Sequence, residues 1–83
     1  MIPAMIRPTT HATERMQQYG IAWAWVLRAV TAPDRRVPDP RPGITRSFRV
    51  IPERGGRILR VAHRPEGDDA LVLSAHVDRG AES

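Results

Sequence analysis

Apolar positions recur with a helical period in the first third of the chain and with a period of two in the last half. In "TTHATERMQQYG", Ala12, Met16 and Tyr19 fall at i, i+4 and i+7, the spacing of one helix face. Thr9 or Thr10 can cap the start, Glu14 lies near the first turn and Gly20 offers a left-handed stop, so a helix is predicted over 10–19. "AWAWVLRAVT" predicts a second over 23–31, with Trp25, Val26, Ala29 and Val30 as its buried side and Pro33 as its stop. Trp23 and Trp25 read first as core side chains, and second as surfaces on which bases could stack. "APDRRVPDPRPG" is too rich in proline for regular structure and is expected to be a surface loop.

From Ile44 onward the pattern is that of strands. The segments 44–51, 57–64 and 70–77 alternate, with "ERGG" and "PEGDD" as hairpin turns between them. Residues around Pro3 to Ile6 could add an edge strand. The expected fold is α+β: residues 1–83 form one domain, with two N-terminal helices on one face of a three- to four-stranded antiparallel sheet.

Pleat geometry then divides the side chains between two faces. With Phe48, Val50, Leu59, Val61, Leu71, Leu73 and Ala75 toward the helices, the other face holds Ser47, Arg49, Ile58, Arg60, Val72, Ser74 and His76. A four-residue first turn and a five-residue second turn set Arg49 opposite Arg60 and Arg60 opposite Ser74, with His76 one step along. Two opposed arginines repel by roughly a few tenths of a kcal/mol or more. An anion between them would relieve that, and phosphate suits the planar guanidinium fork best. The other reading is a solvated face that the arginines keep soluble.

Composition changes this picture in one respect. Thirteen arginines and no lysine give a net charge of +4 and a pI near 11.3, so the high pI reflects missing lysine more than a dense positive field. Cysteine is absent, which removes disulfide and thiolate chemistry. The three histidines have no metal-ligand spacing, and no cofactor motif is present, so no metal or cofactor is expected. No apolar run approaches a membrane span, and a soluble cytoplasmic protein without membrane partners is the expectation.

The first helix carries a second candidate. His11 and Arg15 stand four apart, hence on one helical face. A cation beside an imidazole favours the neutral ring, the form that accepts a proton. Beside a phosphate-holding arginine such a ring could take the 2′-hydroxyl proton of a ribose, with cations stabilising the charge that develops on phosphorus. The alternative is a solvated histidine next to an arginine paired with a carboxylate.

These residues resemble a family of short bacterial domains of unknown function related to RelE/ParE-like and BrnT-like toxins. The resemblance rests on His11, Ala12, Arg15, Met16, Gly20, Ile21, Trp25, Val26, Pro33 and Asp34, and on Val72, Ser74 and Ala75 in the closing strand. Tyr19 stands where the family often has arginine, Ser74 where threonine is usual, and His76 in place of an aromatic residue. The resemblance implies helices followed by an antiparallel sheet, and a domain that binds RNA, messenger or ribosome-associated, and cleaves it without metal. It also implies an antitoxin protein as partner. The implied catalytic residues are His11, Arg15 and Ser74. His76, a departure from the family pattern, either adds an acid for the leaving group or weakens the match, and Arg49 and Arg60 come from the pleat argument as the phosphate clamp. A non-catalytic module that binds protein or nucleic acid through the same face is the alternative.

Overall fold

The computed structural model describes residues 3–78, as β1 (Ile6–Pro8), α1 (Thr10–Tyr19), α2 (Trp23–Thr31), β2 (Arg35–Pro38), β3 (Thr45–Ile51), a 3-10 turn (Pro52–Arg54), β4 (Arg57–Glu66) and β5 (Asp69–Asp78). Both helices match their predicted spans. Thr9 caps α1 by accepting a hydrogen bond at its Oγ1 from the Ala12 amide, 3.0 Å. Gly20 ends the helix at φ +65°, where a Cβ would be strained. In α2, Val26, Ala29 and Val30 are buried, whereas Trp23 and Trp25 are only partly buried and pack against the edge of the core. Tyr19, expected on the inner stripe of α1, is 37% exposed. Neither helix is long and apolar enough to cross a membrane.

The sheet has five strands in the order β1-β5-β4-β3-β2, and the β1–β5 pair is parallel. This is α+β, but larger and more mixed than the three- to four-stranded antiparallel sheet expected from sequence. Arg35–Pro38, inside the proline-rich segment, pairs with Thr45–Phe48 as an edge strand. Proline is tolerated at such an edge because its missing N–H interrupts no inner ladder.

The helices cover one face, α2 over β3 and β4 and α1 against β5. Ala12, Met16, Ile21, Val26, Ala29 and Val30 meet Ile51, Leu59, Val61, Val72 and Ala75 there in one core. Beyond Val72 the outer edge of β5 has no strand partner among the described residues, and Thr9 Oγ1 donates to the Leu73 carbonyl at 3.3 Å, so α1 lies along that edge.

The strand phases depart from expectation in two places. Pro52 belongs to the first turn, which therefore has five residues between the paired Ile51 and Arg57. One extra residue slides β3 by one position, and a one-residue slip exchanges its faces. Ser47 thus points into the core, fully buried, while Phe48 and Val50 point away from the helices. The second turn is only Gly67 and Asp68, and a bulge beside Ala62 and His63 leaves Leu73 without a partner. Val72 and Ala75 face the core together because the bulge switches the phase of β5 between them, and Leu71 turns outward opposite Arg64.

Most arginines have structural partners. Arg54 Nη1 donates to the Tyr19 and Gly20 carbonyls at the end of α1, 2.9 and 3.1 Å. Arg36 and Arg49 donate to the Val30 and Ala32 carbonyls at the end of α2, 2.9 and 2.6 Å. Helix C-termini expose such carbonyls with partial negative charge, which guanidinium groups satisfy. Arg28 holds Glu53 through two bonds of 3.0 and 2.9 Å, which lower the Glu53 carboxyl from 4.5 to about 2. The carboxylate of Asp39, 2% exposed, accepts from Arg41 and Arg46, and the Arg41 hydrogen bond is the main cause of its depressed pKa.

Candidate functional site

The face without helices carries an unbroken cross-strand row. Arg35 of β2 opposes Phe48 of β3, Phe48 opposes Arg60 of β4, and Arg60 opposes His76 of β5. In the next row Arg46, Ala62 and Ser74 are partners. The expected row Arg49–Arg60–Ser74 does not form. Arg49 opposes Leu59 on the helix side of the sheet, and its guanidinium is engaged with Ala32, because the longer first turn exchanged the faces of β3.

α1 supplies a wall at one end of the open row. Its residues 11, 15 and 19 form a stripe at four-residue spacing beside the buried stripe of Ala12 and Met16. Since α1 lies along the strand edge, that stripe reaches the open face. Arg15, Tyr19, Arg60, Ser74, Ala75 and His76 line one concavity of about 270 Å³. The Tyr19 and His76 rings meet edge to face, centroids 5.6 Å apart. Edge-to-face contact directs the positive rim of one ring at the negative face of the other and fixes both orientations.

The structure therefore brings together Arg15, Arg60, Ser74 and His76 from the expected set. His11 lies one helical turn outside, where its Nε2 accepts from Arg15 Nε at 3.4 Å, a long bond. Arg15 Nη1 also donates to Gln18 Oε1 at 3.0 Å, so the guanidinium is steadied from both sides. Arg60 has no hydrogen bond or ion pair among the described residues, a state it shares with the exposed Arg57 and with Arg35, whose Cζ sits 4.6 Å from the Phe48 ring centroid. A half-buried guanidinium beside a histidine, a hydroxyl and a phenol, with its donors unspent, can receive an oxyanion.

Two residues of this site escaped the sequence reading. Tyr19 was legible in principle, since it continues the His11–Arg15 stripe by one more turn. Arg35 was not, because its strand lies between prolines and pairs only through tertiary structure.

A larger concavity, about 390 Å³, lies beside Val30 across the ends of β2 to β5 and includes Arg36, Thr45, His63, Asp68 and Asp69. Its main polar groups are already satisfied. Ser47 Oγ and His63 Nε2 share a hydrogen bond at 2.7 Å, Arg36 is bonded to Val30, and Asp69 to Arg7 at 3.2 Å. Burial, and then the neighbouring Arg36, lower the His63 pKa, so the neutral ring is favoured. These groups hold the sheet together and leave the smaller, open concavity as the candidate site. No protein-family model matches this chain, and no curated protein and no solved structure matches it significantly.

Proposed function

We propose that the domain binds RNA across the open face of its sheet, as a RelE/BrnT-like toxin would, and cleaves it without a metal ion. The observation that supports this most is the meeting of Arg15, Tyr19, Arg60, Ser74 and His76 in one concavity. Arg60 and Arg15 receive the phosphate, and their charge stabilises the anionic phosphorane. A histidine takes the proton of the 2′-hydroxyl, whose oxygen attacks phosphorus. The bond from phosphorus to the 5′-oxygen breaks, and that oxygen takes a proton from an acid of the site, leaving a 2′,3′-cyclic phosphate and a 5′-hydroxyl. His76 fits one of these proton transfers by position, with the Ser74 and Tyr19 hydroxyls as orienting partners, and His11 acts from the rim beside Arg15. The antitoxin implied by the resemblance would act by covering this face.

Incubation of the purified domain with end-labelled single-stranded RNA in excess chelator tests the reading. Cyclic-phosphate ends should appear, fall on Arg60→Ala and His76→Ala, and be absent from a 2′-deoxy strand of the same sequence. Failure to bind RNA would overturn the proposal. Binding without cleavage would support the second reading, a non-catalytic RNA-binding module. The position of His11 outside the concavity favours that module, since it leaves His76 as the one histidine within.

A further inference from the structure

Phe48 is the only phenylalanine of the chain, and it stands on the sheet face that no helix covers. A ring placed there forgoes the burial that the opposite face would give it. Its surroundings are apolar and open. Val50, on the same face, is 43% exposed, Ile58 is half-buried, and the Arg35 guanidinium carbon sits 4.6 Å from the ring centroid. With Asp34 and Arg49 these residues line a concavity of about 420 Å³. The polar members are engaged: Asp34 Oδ2 accepts from the Val50 amide at 2.8 Å, and Arg49 is bonded to Ala32.

This apolar cleft adjoins the cationic one. Phe48 and Arg60 are direct cross-strand partners, and neighbouring strands are about 5 Å apart. A ligand that spans both must offer an anion and, a few ångströms away, a flat apolar face. A nucleotide in an unpaired strand has that form. In a duplex both faces of each base are already stacked, so a stacking surface selects single strands.

We infer that the Arg35–Phe48 pair is a nucleobase platform, on which the base next to the phosphate held by Arg60 stacks. This rests on the RNA reading above and adds a second subsite to it. Aromatic rings and guanidinium planes are both surfaces on which bases stack. Val50 and Ile58 have no groups that could read a base edge, so the platform accepts any base.

Fluorescence anisotropy with a short labelled single-stranded oligoribonucleotide and an abasic strand of equal length tests the platform. The wild-type domain should bind the base-bearing strand roughly tenfold more tightly, the effect of one good stack. Phe48→Leu keeps apolar bulk without the ring and should abolish the difference while leaving abasic affinity unchanged. Arg60→Ala should weaken both strands alike. Arg35→Lys keeps the charge without the plane and should narrow the difference, which keeps the test usable if the Phe48 variant does not fold. If Phe48→Leu preserves the difference, or weakens both strands equally, the platform is overturned and RNA binding stands. If the wild-type domain binds neither strand, RNA binding itself falls.

Discussion

Arg57 and Arg60 have the same charge, lie on the same strand and lack partners among the described residues, yet they alternate in phase, Arg60 lining the concavity with Arg15 and Ser74 and Arg57 the neighbouring one with Arg54 and Asp78. That makes them a matched pair for separating a site from a general field. Arg60→Ala should reduce the dependence of log K on log salt by roughly 0.7 for a single-stranded ligand, because one phosphate contact and its released counterion are lost. Arg57→Ala should change it far less, and equal effects would mean that only net charge matters. Arg49→Ala should leave the salt slope intact but lower the melting temperature, since the Ala32 carbonyl loses its donor. His63 gives a pH signature of its own. Its folded-state value lies below the ordinary 6.5, so the unfolded chain binds the proton more readily. The stability that His63 contributes is present above about pH 6.5 and declines as pH falls toward the lower folded value. Urea melts at about pH 7 and about pH 5 should show a loss that His63→Gln reduces, since the depressed carboxyls of Asp39 and Glu53 titrate lower still.

Elements differ in how openly the sequence announces them. The helices were legible because three of their four ends carry local chemistry, Thr9 and Gly20 for α1 and Pro33 beyond α2, while the start of α2 at Ala22 has no capping side chain and was set by the apolar period. Strand positions were legible too, but their phase was not. Whether Phe48 or Ser47 faces the core depends on one residue in the length of a turn, and Pro52 fits either a strand end or the start of a 3-10 turn. Alternation favoured burying Phe48; the requirement to pair Ile51 with Arg57 places Ser47 inside, where His63 satisfies its hydroxyl. The bulge at β5 left no trace in the pattern at all, since Leu71, Val72 and Leu73 are equally apolar. The candidate site inherited this mixture. Arg15, Ser74 and His76 meet as a helix stripe and one strand end, whereas Arg49 was misplaced by the turn. Gly20 offers a check at this scale. Gly20→Ala should destabilise the domain by about 1–2 kcal/mol, the strain of a left-handed residue with a Cβ. A urea midpoint unchanged by that substitution would show that the helix end can relax to another conformation.

At the scale of the molecule, one thin core supports the whole sheet. Leu59 is fully buried between β3 and β5, and Leu59→Ala should cost about 2–5 kcal/mol. A domain of this size has roughly 5–15 kcal/mol in total, so a calorimetric scan should find the variant marginal or unfolded at ambient temperature. The tip of the β3–β4 hairpin is bound into that economy more closely than its exposure suggests. Glu53 is fastened to α2 through Arg28, and Arg54 to the end of α1. Hairpin tips are usually where chains accept added residues without harm. Here an insertion beside Glu53 or Arg54 would loosen both helices together, whereas one at Pro42, on the exposed tip between β2 and β3, meets only solvent. Length variation among descendants of this sequence should therefore collect around Pro42 and spare the tip at Glu53 and Arg54.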